Sequence, residues 1–131
     1  MNEYFKKVLD YTLRLALDIV HQDDTEELIV VSNEDKGIYQ MVIDCEYPIL
    51  IIEQLIYKIE NRSSDHFLHL LKMNRNLIHG AFVINDEETQ VIFGDTLQLE
   101  NLDFNELEGT INALTLGLAE YAGTLLKLNQ Q

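Results

Sequence analysis

The sequence predicts an α+β fold: an antiparallel sheet with helices packed on it, in the order helix-strand-strand-strand-helix-strand-strand-helix. Apolar residues at steps of three and four open and close the chain, short β-branched runs punctuated by polar turns lie between them, and a third helical segment splits those runs into two groups. The 131 residues are expected to form one domain, residues 1–131, long enough to bury a core.

The opening stripe is Tyr4, Val8, Tyr11, Leu15 and Ile19, with Lys6, Lys7, Asp10, Arg14 and Asp18 largely off it, and it predicts a helix from about Glu3 to Val20. The polar stretch from His21 to Glu27 breaks that pattern before Leu28-Ile29-Val30-Val31, a run too short and too branched for a typical helix. Asn33 to Gly37 supplies turn chemistry, so Ile38 to Asp44 reads as the returning arm of a hairpin. Tyr47-Pro48 then redirects the chain into Ile49 to Ile59. Ile49, Ile52, Ile56 and Ile59 have helical spacing, but four consecutive branched or β-favouring residues directly after Pro48 favour a strand buried on both faces.

Ser64 as N-cap opens a second helix from Asp65 to about Asn76, its apolar side formed by Phe67, Leu70, Leu71, Met73 and Leu77. Gly80 begins a second hairpin, with arms at 81–84 and 89–93 that carries on toward Leu99. Asp103 with Glu106 three residues on resembles a capping box, and Leu102 with Leu107 a hydrophobic staple. The last helix runs through Ile111, Leu114, Leu118, Ala122 and Leu125 to about Lys127. Inside it Gly109, Ala113 and Gly117 recur every fourth residue; each Gly costs roughly 1 kcal/mol relative to Ala, so one narrow face is expected to pack closely.

Charge excludes several functions. Twenty-three Asp and Glu against nine Lys and Arg leave a net −14, which repels phosphate backbones and anionic headgroups, so no nucleic acid is expected as partner. The longest apolar run, Tyr47 to Ile52, is far short of the roughly 20 residues that span a bilayer, so no membrane insertion is expected. Charges interrupt the N-terminal segment, and the lone Cys45 has no internal disulfide partner; a cytoplasmic location follows. From Asn76 to Leu126 there is no Lys or Arg, while nine acids from Asp86 to Glu120 make an acidic skin or a field for a basic partner.

Little points to catalysis. Cys45 lies between Asp44 and Glu46, whose charges raise a thiol pKa, the wrong direction for a nucleophile. Neither a phosphate-binding glycine pattern nor an EF-hand series occurs, and no cofactor is expected. His66 and His69, three apart with Asp65 beside them, could share a helix face, which supports a rival reading as a metal- or ligand-binding regulator or enzyme using nearby carboxylates. The pattern is not HExxH and no second cluster joins it, so no metal ligand and no catalytic residue is assigned, and the protein is expected not to be an enzyme. His21 and His79 are expected to serve as donors at the C-terminal ends of the first two helices.

The excess of apolar strand points instead to assembly, with sheet surface covered by a second copy or a client. The chain from Leu71 through Asn74 to Ile84, followed by Thr96 to Leu107, resembles the YbjN family and the class I type III secretion chaperones, including the Tir-chaperone type. In that group a helix ending in LLxxN runs into a hairpin, then into LxLExLDxxEL and a long last helix. The likeness in motif covers roughly residues 65–127. It implies an α+β homodimer without catalytic activity that holds a client polypeptide, in the YbjN case loosely linked to stress. It also implies a dimer contact at helix 2 and its hairpin, carried here by Phe67, Leu70, Leu71, Met73, Asn74, Phe82 and Ile84, and a partner surface that includes helix 1. On that helix the stripe Tyr4, Val8, Tyr11 and Leu15 either binds the partner or covers the sheet.

Overall fold

A computed structural model describes residues 2–130. The elements are α1 (Glu3–Arg14), β1 (Asp18–Asp23), β2 (Leu28–Asn33), a 3-10 turn (Glu34–Lys36), β3 (Ile38–Glu46), β4 (Ile49–Lys58), α2 (Ser64–Asn74), β5 (Ala81–Ile84), β6 (Gln90–Gln98) and α3 (Phe104–Gln130). The α+β prediction holds, with one strand more than expected. All six strands form one antiparallel sheet in the order β1-β2-β3-β4-β6-β5.

The added strand comes out of the predicted first helix. Helix α1 stops at Arg14, Ala16 turns the chain at φ 58°, and Asp18–Asp23 pairs with β2. Ile19 continues the helical stripe only by coincidence of spacing; it faces Val31 across the sheet instead. The exposed end of α1 is satisfied from β2 and the 3-10 turn, since Lys36 Nζ donates to Leu15 O at 2.9 Å and Asn33 Nδ2 to Ala16 O at 3.0 Å. His21 is therefore an exposed strand residue and not the donor at the end of this helix. Ala16 holds a left-handed conformation that glycine adopts without strain. Ala16→Gly is expected to stabilise the fold by about 0.5–1 kcal/mol, measurable as a raised urea midpoint; an unchanged or lowered midpoint shows the turn is unstrained.

Helices cover one face of the sheet. Ile29, Val31, Met41, Ile43, Leu50, Ile52, Val91 and Phe93 alternate inward and join Phe5, Val8, Leu70, Leu107, Ile111 and Leu114 in one apolar cluster. Strand β4 is accordingly buried on one face and not two: Leu50 and Ile52 are sealed, while Ile49 and Ile51 are only half-buried. Gln54, the one buried amide on that strand, accepts from Tyr39 N and donates to Gly37 O, both at 3.1 Å, and so ties the start of β3 to β4 where the ladder is open.

The two motifs of the sequence have visible jobs in this frame. Asp103 Oδ1 accepts from Glu106 N at 2.8 Å and caps α3, while Leu99, Leu102 and Leu107 bury beside it. Ser63, one residue earlier than expected, caps α2 by accepting from His66 N. Helix α3 then crosses the sheet, with Thr110 Oγ1 donating to Asp95 Oδ2 and Thr115 Oγ1 to Lys36 O. Its small residues do pack closely: a Cβ on Gly109 would lie 2.9 Å from the His79 ring, and one on Gly117 3.1 Å from Leu77. His79 thus rests on α3 and does not close α2.

Candidate functional site

The face of the sheet turned away from the helices is the first candidate surface. Across it Val30 aligns with Val42, which aligns in turn with Glu53, Gly94 and Ala81, while Leu28, Asp44, Ile51 and Thr96 make the next row. Leu55, Ile92 and Val83 form a third row toward the β5 edge. Most of these apolar side chains are half-buried by their neighbours, and Leu55 and Val83 stand exposed. Around Gly94 the face dips into a depression of about 570 Å³ walled by Ile49, Ile51 and Val83. A Cβ on Gly94 would make only ordinary contacts, at 3.7 Å and beyond, so the chain's own packing does not require glycine there. A glycine inside a strand commonly marks the approach of another group.

At the β2–β3 end of this face lie acids. Asp44 Oδ1 and Glu27 Oε2 are buried without a hydrogen-bond partner among the described residues. The Asp44 carboxyl is pushed above the ordinary range, first by burial and then by Glu46 and Glu26. A carboxyl raised in the folded state ionises more readily in the unfolded chain, so its contribution to stability is complete below the ordinary carboxylate pKa and declines as pH rises through the folded value. Asp44→Asn is therefore expected to raise the melting temperature at pH 7, with the gain shrinking as pH falls toward the ordinary carboxylate range; a gain independent of pH contradicts this account. Cys45 points to the other face, buried, with its thiol pushed up to about 12 by burial and then by Glu27, Asp44 and Glu46.

The second candidate surface is the outer side of α2 with β5. Of the residues placed there by resemblance, Leu70 and Met73, on the inner side of α2, and Phe82, on the inner side of β5, belong to the protomer's own core. Phe67 is half-buried, stacked on His66 at 5.5 Å. Asn74 faces inward as well: its amide accepts from Phe82 N at 2.7 Å and donates to Phe82 O at 3.0 Å, clamping the edge strand to the end of the helix. The Asn of the LLxxN motif is thus a clasp within the protomer. Leu71, 68% exposed, and Ile84 keep free surface, and Leu68, which periodicity did not single out, joins them.

On α1 the stripe covers the core. Val8 and Leu15 are buried; Tyr4 stacks on Tyr47 at 5.4 Å, and Tyr11 packs edge-on to Phe104 at 5.7 Å while its hydroxyl donates to Leu102 O. These four residues do not form an open patch. The histidines part company too. His66 is fully buried, its Nδ1 donating to Asn61 O at 2.7 Å and its Nε2 paired with the Tyr57 hydroxyl. His69 turns back to Asp65 on the helix surface. With both nitrogens of His66 taken, the pair does not converge, and among the described residues no cluster of three or more His, Cys, Asp or Glu could hold a metal ion. Nor is any described helix long and apolar enough to cross a membrane.

The sheet is thus sealed by helices on one face and presents apolar side chains interspersed with acids on the other. The chain belongs to the CesT_Tir_1 family of type III chaperones, whose sequence model matches residues 1–131. No curated protein matches it in sequence. Among solved structures it is similar to YbjN of E. coli, with TM-score 0.70 at 8% identity over 92% of both chains. It is similar to SycH, a type III secretion chaperone of Yersinia pestis solved with a stable fragment of YscM2, with TM-score 0.62 at 13% identity over 93% of this chain and 98% of that one. A third likeness is to a structure of the HopA1-SchA chaperone-effector complex, with TM-score 0.60 at 15% identity over 88% and 91%. At these identities the likeness is one of fold.

Proposed function

We propose that this protein is a non-catalytic homodimer that holds a partner polypeptide on the helix-free face of its sheet, in the manner of a chaperone or adaptor. The observation that carries the reading is the apolar face running through Val30, Val42, Ile51 and Val83 with a glycine-floored depression at its centre. Family membership supports it, as do the partner polypeptides seen with SycH and in the HopA1-SchA complex. The same reading takes the protein to act in the cytoplasm, in a stress response.

The test is a crosslinked pull-down from the source cell. Repeated recovery of one polypeptide, abolished by Ile51→Lys with the fold and mass of the protein intact, supports the reading; recovery indifferent to charges placed across the sheet face removes it. Leu68, Leu71 and Ile84 are proposed for the contact between copies. Leu71→Asp is expected to halve the mass measured by light scattering without lowering the melting temperature of the protomer, since the side chain is already in water there. A wild-type particle of one chain at high concentration contradicts the dimer.

A further inference from the structure

Helix α3 carries a surface that neither the sheet face nor the α2 contact uses. Between α3 and the α2–β5 connection lies a groove of about 720 Å³, floored by Leu77, Ala113 and Gly117 and walled by Ile78 and Leu116. The two walls are apolar yet 83% and 65% exposed. Ala119 also lines the groove, and exposed Gly123 and Leu126 follow it along α3. Leu116, Ala119, Gly123 and Leu126 are spaced three, four and three, the seam along which one helix receives another. Gly123 weakens the helix it sits in, and a Cβ there would meet no described atom within 4 Å, so the protomer's own packing does not ask for it. A bare backbone in a seam of exposed leucines admits a second helix at close range. From Asn112 to Leu126 the seam is about 21 Å long.

The charge on its flank narrows the occupant. Glu120 lines the groove, and no Lys or Arg occurs between Asn76 and Leu126 to offset it. A second copy of this chain fits poorly. Pairing α3 antiparallel with itself would set Leu116 on Leu126 and Ala119 on Gly123, but the same two-fold brings Glu120 against Glu120. A helix with basic residues on that side has no such conflict. We infer that the groove between α3 and the α2–β5 connection binds an amphipathic α-helix with a leucine-type seam and Lys or Arg along the flank facing Glu120.

The experiment uses the full chain and three labelled synthetic peptides of equal length: a Leu seam with a Lys flank, the same composition scrambled so that no seam forms, and the Leu seam with a Glu flank. Fluorescence anisotropy at physiological salt is expected to show saturable binding of the first alone. Leu116→Glu and Gly123→Leu are each expected to weaken it roughly tenfold. Glu120→Lys is expected to weaken the Lys-flanked peptide roughly fivefold and to admit the Glu-flanked one. Circular dichroism confirms that each variant is folded, and Ile51→Lys is expected to leave peptide binding unchanged, which separates this surface from the sheet face. Equal binding of the scrambled peptide, or indifference to all three substitutions on α3, overturns the inference. A fall in particle mass on Leu116→Glu also overturns it, by making a second copy the occupant.

Discussion

Gly80→Ala is expected to destabilise the protein by about 3–4 kcal/mol, the largest single effect the structure predicts for so small a change. Gly80 turns the chain from the end of α2 into β5 at φ 72°, where a side chain adds left-handed strain. The new Cβ would also lie 2.4 Å from Cζ and 2.8 Å from Cε2 of Phe93, and 3.1 Å from the Gly94 carbonyl. Phe93 is completely buried, so its ring has nowhere to retreat, and β5 must shift instead. Urea unfolding measures the loss. Gly123→Ala, made on an open helix surface, serves as control and is expected to gain about 0.5–1 kcal/mol. If the two substitutions have similar effects, the contact with Phe93 is not as described.

His66→Ala is expected to cost about 3–4 kcal/mol, by loss of a buried ring and of two hydrogen bonds. The imidazole stands between Tyr57 of β4 and Phe67 of its own helix, and holds the carbonyl of Asn61 in the connection between β4 and α2. That connection is also latched to the end of α3: Asn61 Nδ2 donates to Leu128 O, and Asn129 Oδ1 accepts from Glu60 N. Burial pushes the Tyr57 hydroxyl up to about 12, so it remains a donor at neutral pH. Because Asn61 O can only accept, Nδ1 carries the proton and Nε2 accepts from Tyr57. His66→Phe keeps the ring and strands both partners, and is expected to cost about 2 kcal/mol. Added zinc is expected to leave the melting temperature of the wild type where it was. A zinc-dependent rise abolished by His66→Phe would revive the metal reading and displace this one.

The limits of sequence reasoning show in particular residues. Ile19 sits at a helical step from Leu15, and periodicity alone carries the first helix through it; pairing with Val31 makes it a strand residue. Nothing local announces that pairing, because its hydrogen bonds go to residues a hairpin away. Asn74 was legible as part of a motif but not as a clasp, since its target, Phe82 of β5, is reached only once α2 and β5 lie side by side. His66 and His69 share a stretch of sequence, yet the wall of the core passes between them.

What the sequence by itself determined is the order of the later elements, the strand after Pro48, the cap at Asp103, the close packing of Gly109 and Gly117 and the acidic character of the whole; each depends on neighbours within a few residues or on composition. Only the tertiary structure decided which face of each stripe is buried. A stripe shows that one side of a helix or strand is apolar, not whether its cover comes from the same chain: the protomer's own packing seals Val8, Leu15 and Leu70 in its core, and the helix-free face and the α3 seam are left apolar toward the outside.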